Sequence, residues 1–134
     1  MIKQIVLLVL CSFLMLLSAY GQDTQKKLKE WTQMYQLTET QQIKLNQLLE
    51  LEQENLLELQ SVRASNLKLY EQKQRNLIFQ TQQGLKSMLN ASQLLIFNQQ
   101  EKAVKDAKKQ QYQQLKAAGA SKEELSKLLE EMKQ

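Results

Sequence analysis

The chain has no proline and no histidine, only three glycines, and one cysteine in 134 residues. Each shortage excludes something. Without proline, nothing in the sequence forbids long helices. Without histidine, and with Cys11 as the lone thiol, the donors that soft or borderline metals favour are missing. The side chains that most often serve as base or nucleophile near neutral pH are missing too. A single cysteine cannot close a disulfide within the chain, the device on which small exported domains often depend. There is also no glycine-rich phosphate loop and no nucleophile elbow. An enzyme, a nucleotide-driven machine and a cofactor carrier are therefore all poor readings, and the expectation is a non-catalytic protein with no catalytic residue, no metal and no cofactor.

The long hydrophobic run is confined to the start. Lys3 forms a short positive region, Ile5 to Leu17 an apolar stretch, and Ala19-Tyr20-Gly21 a small-residue cleavage pattern. The apolar stretch is shorter than the ~20 residues a spanning helix needs. Residues 1–21 read as a cleaved signal peptide and residues 22–134 as one exported domain. Cys11 lies inside the apolar run behind Leu10, which argues against a lipid-modified start, and its removal leaves no thiol. The formal net charge of the whole chain is +4, and losing Lys3 lowers it by one unit. That is too mild for a nucleic-acid binder.

What the chain does have is helix formers and helix starts. Leu37-Thr38-Glu39-Thr40-Gln41 and Leu89-Asn90-Ala91-Ser92-Gln93 each read as a capping box, with Thr38 or Asn90 as N-cap and Gln41 or Gln93 at N3. In the second, Leu89 can pack on Leu94 as a hydrophobic staple. Ser121-x-x-Glu124 makes a third box, after Gly119. Between the first two boxes only Gly84 interrupts a run rich in Ala, Leu, Glu, Gln, Lys and Arg. Unbroken, the helix from Glu39 to about residue 83 would be a rod on the order of 65 to 70 Å long. Ser61 to Asn66 is its weakest stretch.

Leu49, Leu56, Arg63, Tyr70 and Leu77 recur every seven residues, flanked by Leu45, Leu48, Leu59, Val62, Leu67 and Ile78. A stripe of this kind belongs to a coiled-coil or hairpin seam. Arg63 is the member a dry seam would not accept. Ahead of the long run, Leu28, Trp31 and Tyr35 give a short amphipathic helix, with Trp31 as a core anchor or as an aromatic offered to a partner. Behind it, Leu94, Leu95, Phe97, Val104 and Leu115 lie on a further helix, and Leu125, Leu128, Leu129 and Met132 on a short terminal one. Gly84 either ends the long helix at C′ or lies within a helix that runs on to about Met88. Glu50, Glu54 and Glu58 line up at i, i+4, i+8 and read as a solvated face.

The pairs Leu37-Thr38-x-x-Gln41 and Leu89-Asn90-x-x-Gln93, the latter followed by Phe97, resemble the paired LTxxQ motifs of the Spy/CpxP family of bacterial periplasmic helical proteins. The resemblance covers roughly residues 24 to 100. Asn90 stands where the family has Thr, and Ala91-Ser92 where it often has Pro-Glu. The resemblance implies a thin, cradle-shaped helical homodimer and an ATP-independent chaperone (holdase) of the envelope stress response, which binds unfolded or partly folded envelope proteins. Its other implied role is a CpxP-like regulatory module docking on a membrane sensor domain.

The fold expected is thus all-α: a long antiparallel helical hairpin with short flanking N- and C-terminal helices, paired with a second copy because a small domain buries too little alone. With the long helix folded against the next about residues 84 to 91, Lys102, Lys105 and Lys109 would come level with Arg63, Lys68, Tyr70, Lys73 and Arg75. Two readings stay open for that zone. It is either a basic belt that attracts acidic, unfolded clients, with Tyr70 and the leucines holding them, or an ordinary solvated surface of interspersed charge.

Overall fold

The computed structural model describes residues 23–133. The expected signal peptide and Cys11 lie outside these residues. Every regular element among the described residues is an α-helix: α1 (residues 23–35), α2 (Glu39–Glu58), α3 (Gln60–Ser65), α4 (Leu67–Met88), α5 (Ala91–Ala117) and α6 (Lys122–Met132). The chain divides between Met88 and Leu89 into two compact units, within the region expected as one domain.

The first unit is built on α2. Its first turn is closed as the sequence predicts. The Thr38 hydroxyl accepts from the Gln41 N–H, and Gln41 Oε1 accepts from the Thr38 N–H. Preceding it, α1 ends in a Schellman-type reversal, with the Leu37 N–H donating to the Thr32 carbonyl at 3.1 Å and Gln36 in the left-handed region at φ 52°. Helix α1 then lies antiparallel to α2. Thr24 Oγ1 donates to Gln53 Oε1 at 2.6 Å, and Lys27 Nζ to Glu52 Oε1 at 2.7 Å. Trp31 is half-buried, with Lys27 Nζ 4.8 Å from its ring centroid, so it is neither a deep core anchor nor fully presented.

The run from Glu39 to about residue 83 is not one unbroken rod: it is interrupted at Leu59 and Asn66, at the stretch the sequence marks as weakest. Three short polar side chains turn the chain instead. Ser61 Oγ donates back to the Glu58 carbonyl and Ser65 Oγ to the Val62 carbonyl, bonds that compete with the helical ladder and bend it. Asn66 leaves helical geometry altogether, at φ −152°, ψ 87°, and its Oδ1 accepts from the Leu69 N–H as the start of α4.

Helix α4 packs back along α2. Gln41 Nε2 donates to the Met88 carbonyl at one end, and Gln60 Nε2 to the Tyr70 hydroxyl at the other. Between them an ideal Cβ on Gly84 would lie 2.8 Å from Leu48 Cδ1. Gly84 is therefore not a helix stop. It sits inside α4 and permits close approach to α2.

Two stripes supply the core of this unit. Helix α2 buries Leu45, Leu49 and Glu52, at i, i+4 and i+7, and α4 buries Tyr70, Thr81 and Leu85. Leu45 and Leu85 are fully enclosed, each contributing about 1.5–3 kcal/mol of transfer free energy. Arg63 falls in α3 at the turn, outside any seam, which removes the objection it raised to a dry stripe.

The second unit is α5 against α6. Asn90 and Gln93 form the capping box of α5, and Ser121 and Glu124 that of α6. Helix α5 ends in a full Schellman motif, with Gly119 at φ 78°. Here the Ala120 N–H donates to the Leu115 carbonyl at 3.0 Å, and the Gly119 N–H to the Lys116 carbonyl at 3.2 Å. Leu128 is buried, and Lys108 Nζ donates to the Glu131 carbonyl in the last turn of α6, where a cation is favoured by the helix dipole.

Candidate functional site

The motif residues are structural. Leu37, Leu89, Gln93 and Phe97 are buried, while Thr38 and Asn90 are exposed caps. Gln41 is half-buried and its amide works at both ends: the oxygen completes the Thr38 cap, and the nitrogen reaches the last carbonyl of α4. A glutamate at this position could close the box but could not donate to Met88. The reason for Gln at N3 of the first motif is therefore a tertiary hydrogen bond.

The expected client-binding residues separate into three groups. Tyr70 is buried, at 8 % exposure. Its hydroxyl accepts from Gln60 Nε2, and the Arg63 guanidinium stacks 5.6 Å from its ring centroid. Tyr70 therefore locks the α3–α4 reversal and is not a presented holding residue, a correction that follows from the broken rod. Arg63, Lys68 and Lys73 are exposed around that reversal, with Arg75 half-buried further along α4. Lys102, Lys105 and Lys109 are exposed on α5 in the second unit. Of the residues expected level with these lysines, Lys68, Tyr70, Lys73 and Arg75 lie on α4, whereas Arg63 lies in α3 beyond the break at Asn66.

The apolar groups near the tip cations were only partly legible. Leu67 is 56 % exposed, and Leu69 also stands open to solvent, as does Phe79 further along α4. Leu67 reads as a seam residue if the helix is continuous. Once Asn66 starts a new helix, Leu67 becomes its first residue, where the stripe no longer decides its direction. The signal was present in Ser65-Asn66, a good N-cap without Glu or Gln at N3 to complete a box. The stretch from Leu59 to Tyr70 carries Arg63 and Lys68 as its only charges, with Glu58 and Glu71 flanking it. On α2, by contrast, Glu50, Glu54 and Glu58 are exposed as the solvated face predicted, and Ile43, Leu51 and Leu57 stand exposed among them.

No described helix is long and apolar enough to cross a membrane. Comparison of the chain with protein-family models, with curated proteins and with solved structures found no match.

Proposed function

We propose that this chain is an ATP-independent holdase of the cell envelope, a Spy/CpxP-like protein that binds unfolded or partly folded proteins in the periplasm and limits their aggregation. The observation that carries the reading is the reversal between α2 and α4, where exposed Leu67 and Leu69 stand among the exposed cations Arg63, Lys68 and Lys73. Unfolded chains offer apolar segments and, often, negative charge. The cations speed encounter through long-range attraction, and the leucines hold by removing apolar area from water at roughly 25 cal/mol per Å². Lys102, Lys105 and Lys109 add attraction from α5. The two LTxxQ-like caps, which fix where α2 and α5 begin, support the family resemblance.

The test is light scattering of several chemically denatured clients diluted into the purified chain from Gln22 onward, without ATP, at low and high salt. Suppression of aggregation that weakens with salt is the expected result. No suppression of any client would overturn the reading and leave the sensor-docking module, which would show as one stoichiometric partner in a pull-down from periplasmic extract.

A further inference from the structure

From Lys102 to Lys122 the chain carries six lysines, Lys102, Lys105, Lys108, Lys109, Lys116 and Lys122, against a single acid, Asp106. No other window of that length in the chain has as large a net charge. Helix α5 sorts these cations. At ~100° per residue, Lys102, Lys105, Lys109 and Lys116 fall within about 60° of arc. The covered side of α5, through Phe97, Lys108 and Leu115, lies roughly a quarter turn away. Lys108 is committed there, donating to the Glu131 carbonyl at 3.1 Å.

The other four are exposed, and no hydrogen bond or ion pair holds them among the described residues. They form one straight row about 21 Å long at the rise of an α-helix. Asp106 stands at one edge of the row and the half-buried Glu101 at the other. Lys102 and Lys105, and Lys105 and Lys109, are three and four positions apart and repel one another. The row is thus a local cost to the helix, which an anionic surface laid against it removes.

What the row lacks selects its occupant. It has no arginine and no exposed aromatic side chain, Tyr112 being half-buried at its border. Nucleic-acid faces rely on both, arginine for paired contacts to bases and phosphates and aromatics for stacking. Protein interfaces concentrate their energy in aromatic and arginine anchors seated in pockets. Lysine is a flexible point charge. Four of them in line on a convex helix match a plane of mobile, singly charged phosphates, which asks for no fixed geometry.

We infer that the outer face of α5 seats this chain on the surface of an anionic phospholipid bilayer, with Lys102, Lys105, Lys109 and Lys116 among the headgroup phosphates. The contact is peripheral, since no described helix is long and apolar enough to cross a membrane. Leu95, 60 % exposed, lies on the same face two turns ahead of Lys102 and can enter the headgroup layer. Each lysine brought near such a surface multiplies binding about fivefold, and the attraction acts over a Debye length. Binding is therefore reversible and set by salt. This goes beyond the holdase reading: it says where the chain sits, and it leaves Arg63, Lys68 and Lys73 at the α3–α4 reversal for what the chain holds.

The occupant is the lipid itself, so the test contains no other protein. The chain from Gln22 onward is sedimented with large vesicles of phosphatidylglycerol and phosphatidylcholine in equal parts, and with vesicles of phosphatidylcholine alone. Salt is set at about 20 mM and about 500 mM, where the Debye length falls from roughly 20 Å to roughly 4 Å. Binding to the anionic vesicles alone, weakened about tenfold or more at high salt, is the expected result. K102Q/K105Q/K109Q should weaken it roughly a hundredfold, and K102R/K105R/K109R should preserve it, because charge and not side-chain shape is recognised. Circular dichroism checks that both stay helical, as expected from the similar helix propensities of the three residue types.

Potassium phosphate should displace the chain no better than chloride of equal ionic strength; a specific effect of phosphate would mean a site for the free ion and overturn the inference. No binding to anionic vesicles would overturn it, as would a loss in R63Q/K68Q/K73Q as large as in K102Q/K105Q/K109Q. Tighter binding of a DNA duplex than of vesicles, per negative charge at the same salt, would make the row a nucleic-acid face and also sink the proposal. The two readings fail separately. Vesicle binding without suppression of client aggregation keeps the membrane seat and removes the holdase, and suppression without vesicle binding does the reverse.

Discussion

The side chain of Gln41 joins the start of α2 to the end of α4: its Oε1 accepts from the Thr38 N–H at 3.0 Å while its Nε2 donates to the Met88 carbonyl at 2.8 Å. Gln41→Glu separates the two roles. The carboxylate still caps, and gains about 0.3–1 kcal/mol from the helix dipole, but it sets an acceptor against the Met88 carbonyl, at a cost of about 1–3 kcal/mol. The expected net effect is a loss of stability in urea unfolding. A variant as stable as the parent would mean that the Met88 bond contributes nothing.

The two Schellman ends provide their own control. Gly119 occupies the left-handed C′ position at φ 78°, whereas the equivalent position after α1 is Gln36 at φ 52°. A side chain there is strained by the approach of Cβ to the backbone. Gln36→Gly should raise stability by about 0.5–1 kcal/mol, and Gly119→Ala should lower it by a similar amount. Thermal unfolding of both variants checks the pair, and a destabilised Gln36→Gly would contradict it.

Gly84 reports on the contact between α2 and α4. Placing alanine there gains up to ~1 kcal/mol of helix propensity but sets its Cβ 2.8 Å from Leu48 Cδ1, the movable end of that side chain. The two terms nearly cancel, so Gly84→Ala should change stability by less than about 1 kcal/mol. Gly84→Val adds branches that Leu48 cannot clear by rotation and should cost about 1–3 kcal/mol. Denaturation midpoints of both variants decide. A harmless Gly84→Val would mean the two helices can separate at this level without loss.

What was legible in the sequence divides by range. The three capping boxes, the helix starts at Glu39, Ala91 and Lys122, and the break at Gly119 follow from interactions across three or four residues, and the structure contains them. The reversal at Leu59 to Asn66 is tertiary. Its signals, Ser61, Ser65 and Asn66, are individually weak, and the seven-residue spacing of Leu49, Leu56, Arg63, Tyr70 and Leu77 runs straight across it. Heptad spacing cannot distinguish one long seam from two short helices that meet. The awkward member, Arg63, was the local sign that the stripe was interrupted. At the candidate site the cations were legible as cations, while the burial of Tyr70 and the exposure of Leu67 both depend on where the chain turns.

Glu52 is buried to 9 % exposure, and Lys27 is its ion-pair partner; the second carboxylate oxygen, Oε2, has no hydrogen-bond partner. Removing the cation alone leaves a poorly hydrated carboxylate, so Lys27→Met should cost about 1–3 kcal/mol, less than a fully buried pair because Lys27 is partly hydrated. The double variant Lys27→Met/Glu52→Leu should recover most of that loss. Trp31, the sole tryptophan, lies under Lys27, and its fluorescence should change in both variants. A double variant no better than the single one would show that the carboxylate was not the source of the cost.

Capture and holding should separate at the α3–α4 reversal. Arg63→Gln/Lys68→Gln/Lys73→Gln removes attraction that acts over roughly a Debye length and leaves Leu67 and Leu69 in place. Stopped-flow mixing with an acidic denatured client should therefore show capture slowed several-fold at low salt, with little change at high salt and little change in the final scattering. Leu67→Gln/Leu69→Gln removes apolar area and leaves the charge. It should raise the final scattering at both salt concentrations and leave the early rate nearly intact, because dissociation, not encounter, is what apolar contact controls. If both variants slow capture equally, or neither alters the final scattering, clients are held elsewhere, and the exposed leucines of this reversal are not the holding surface.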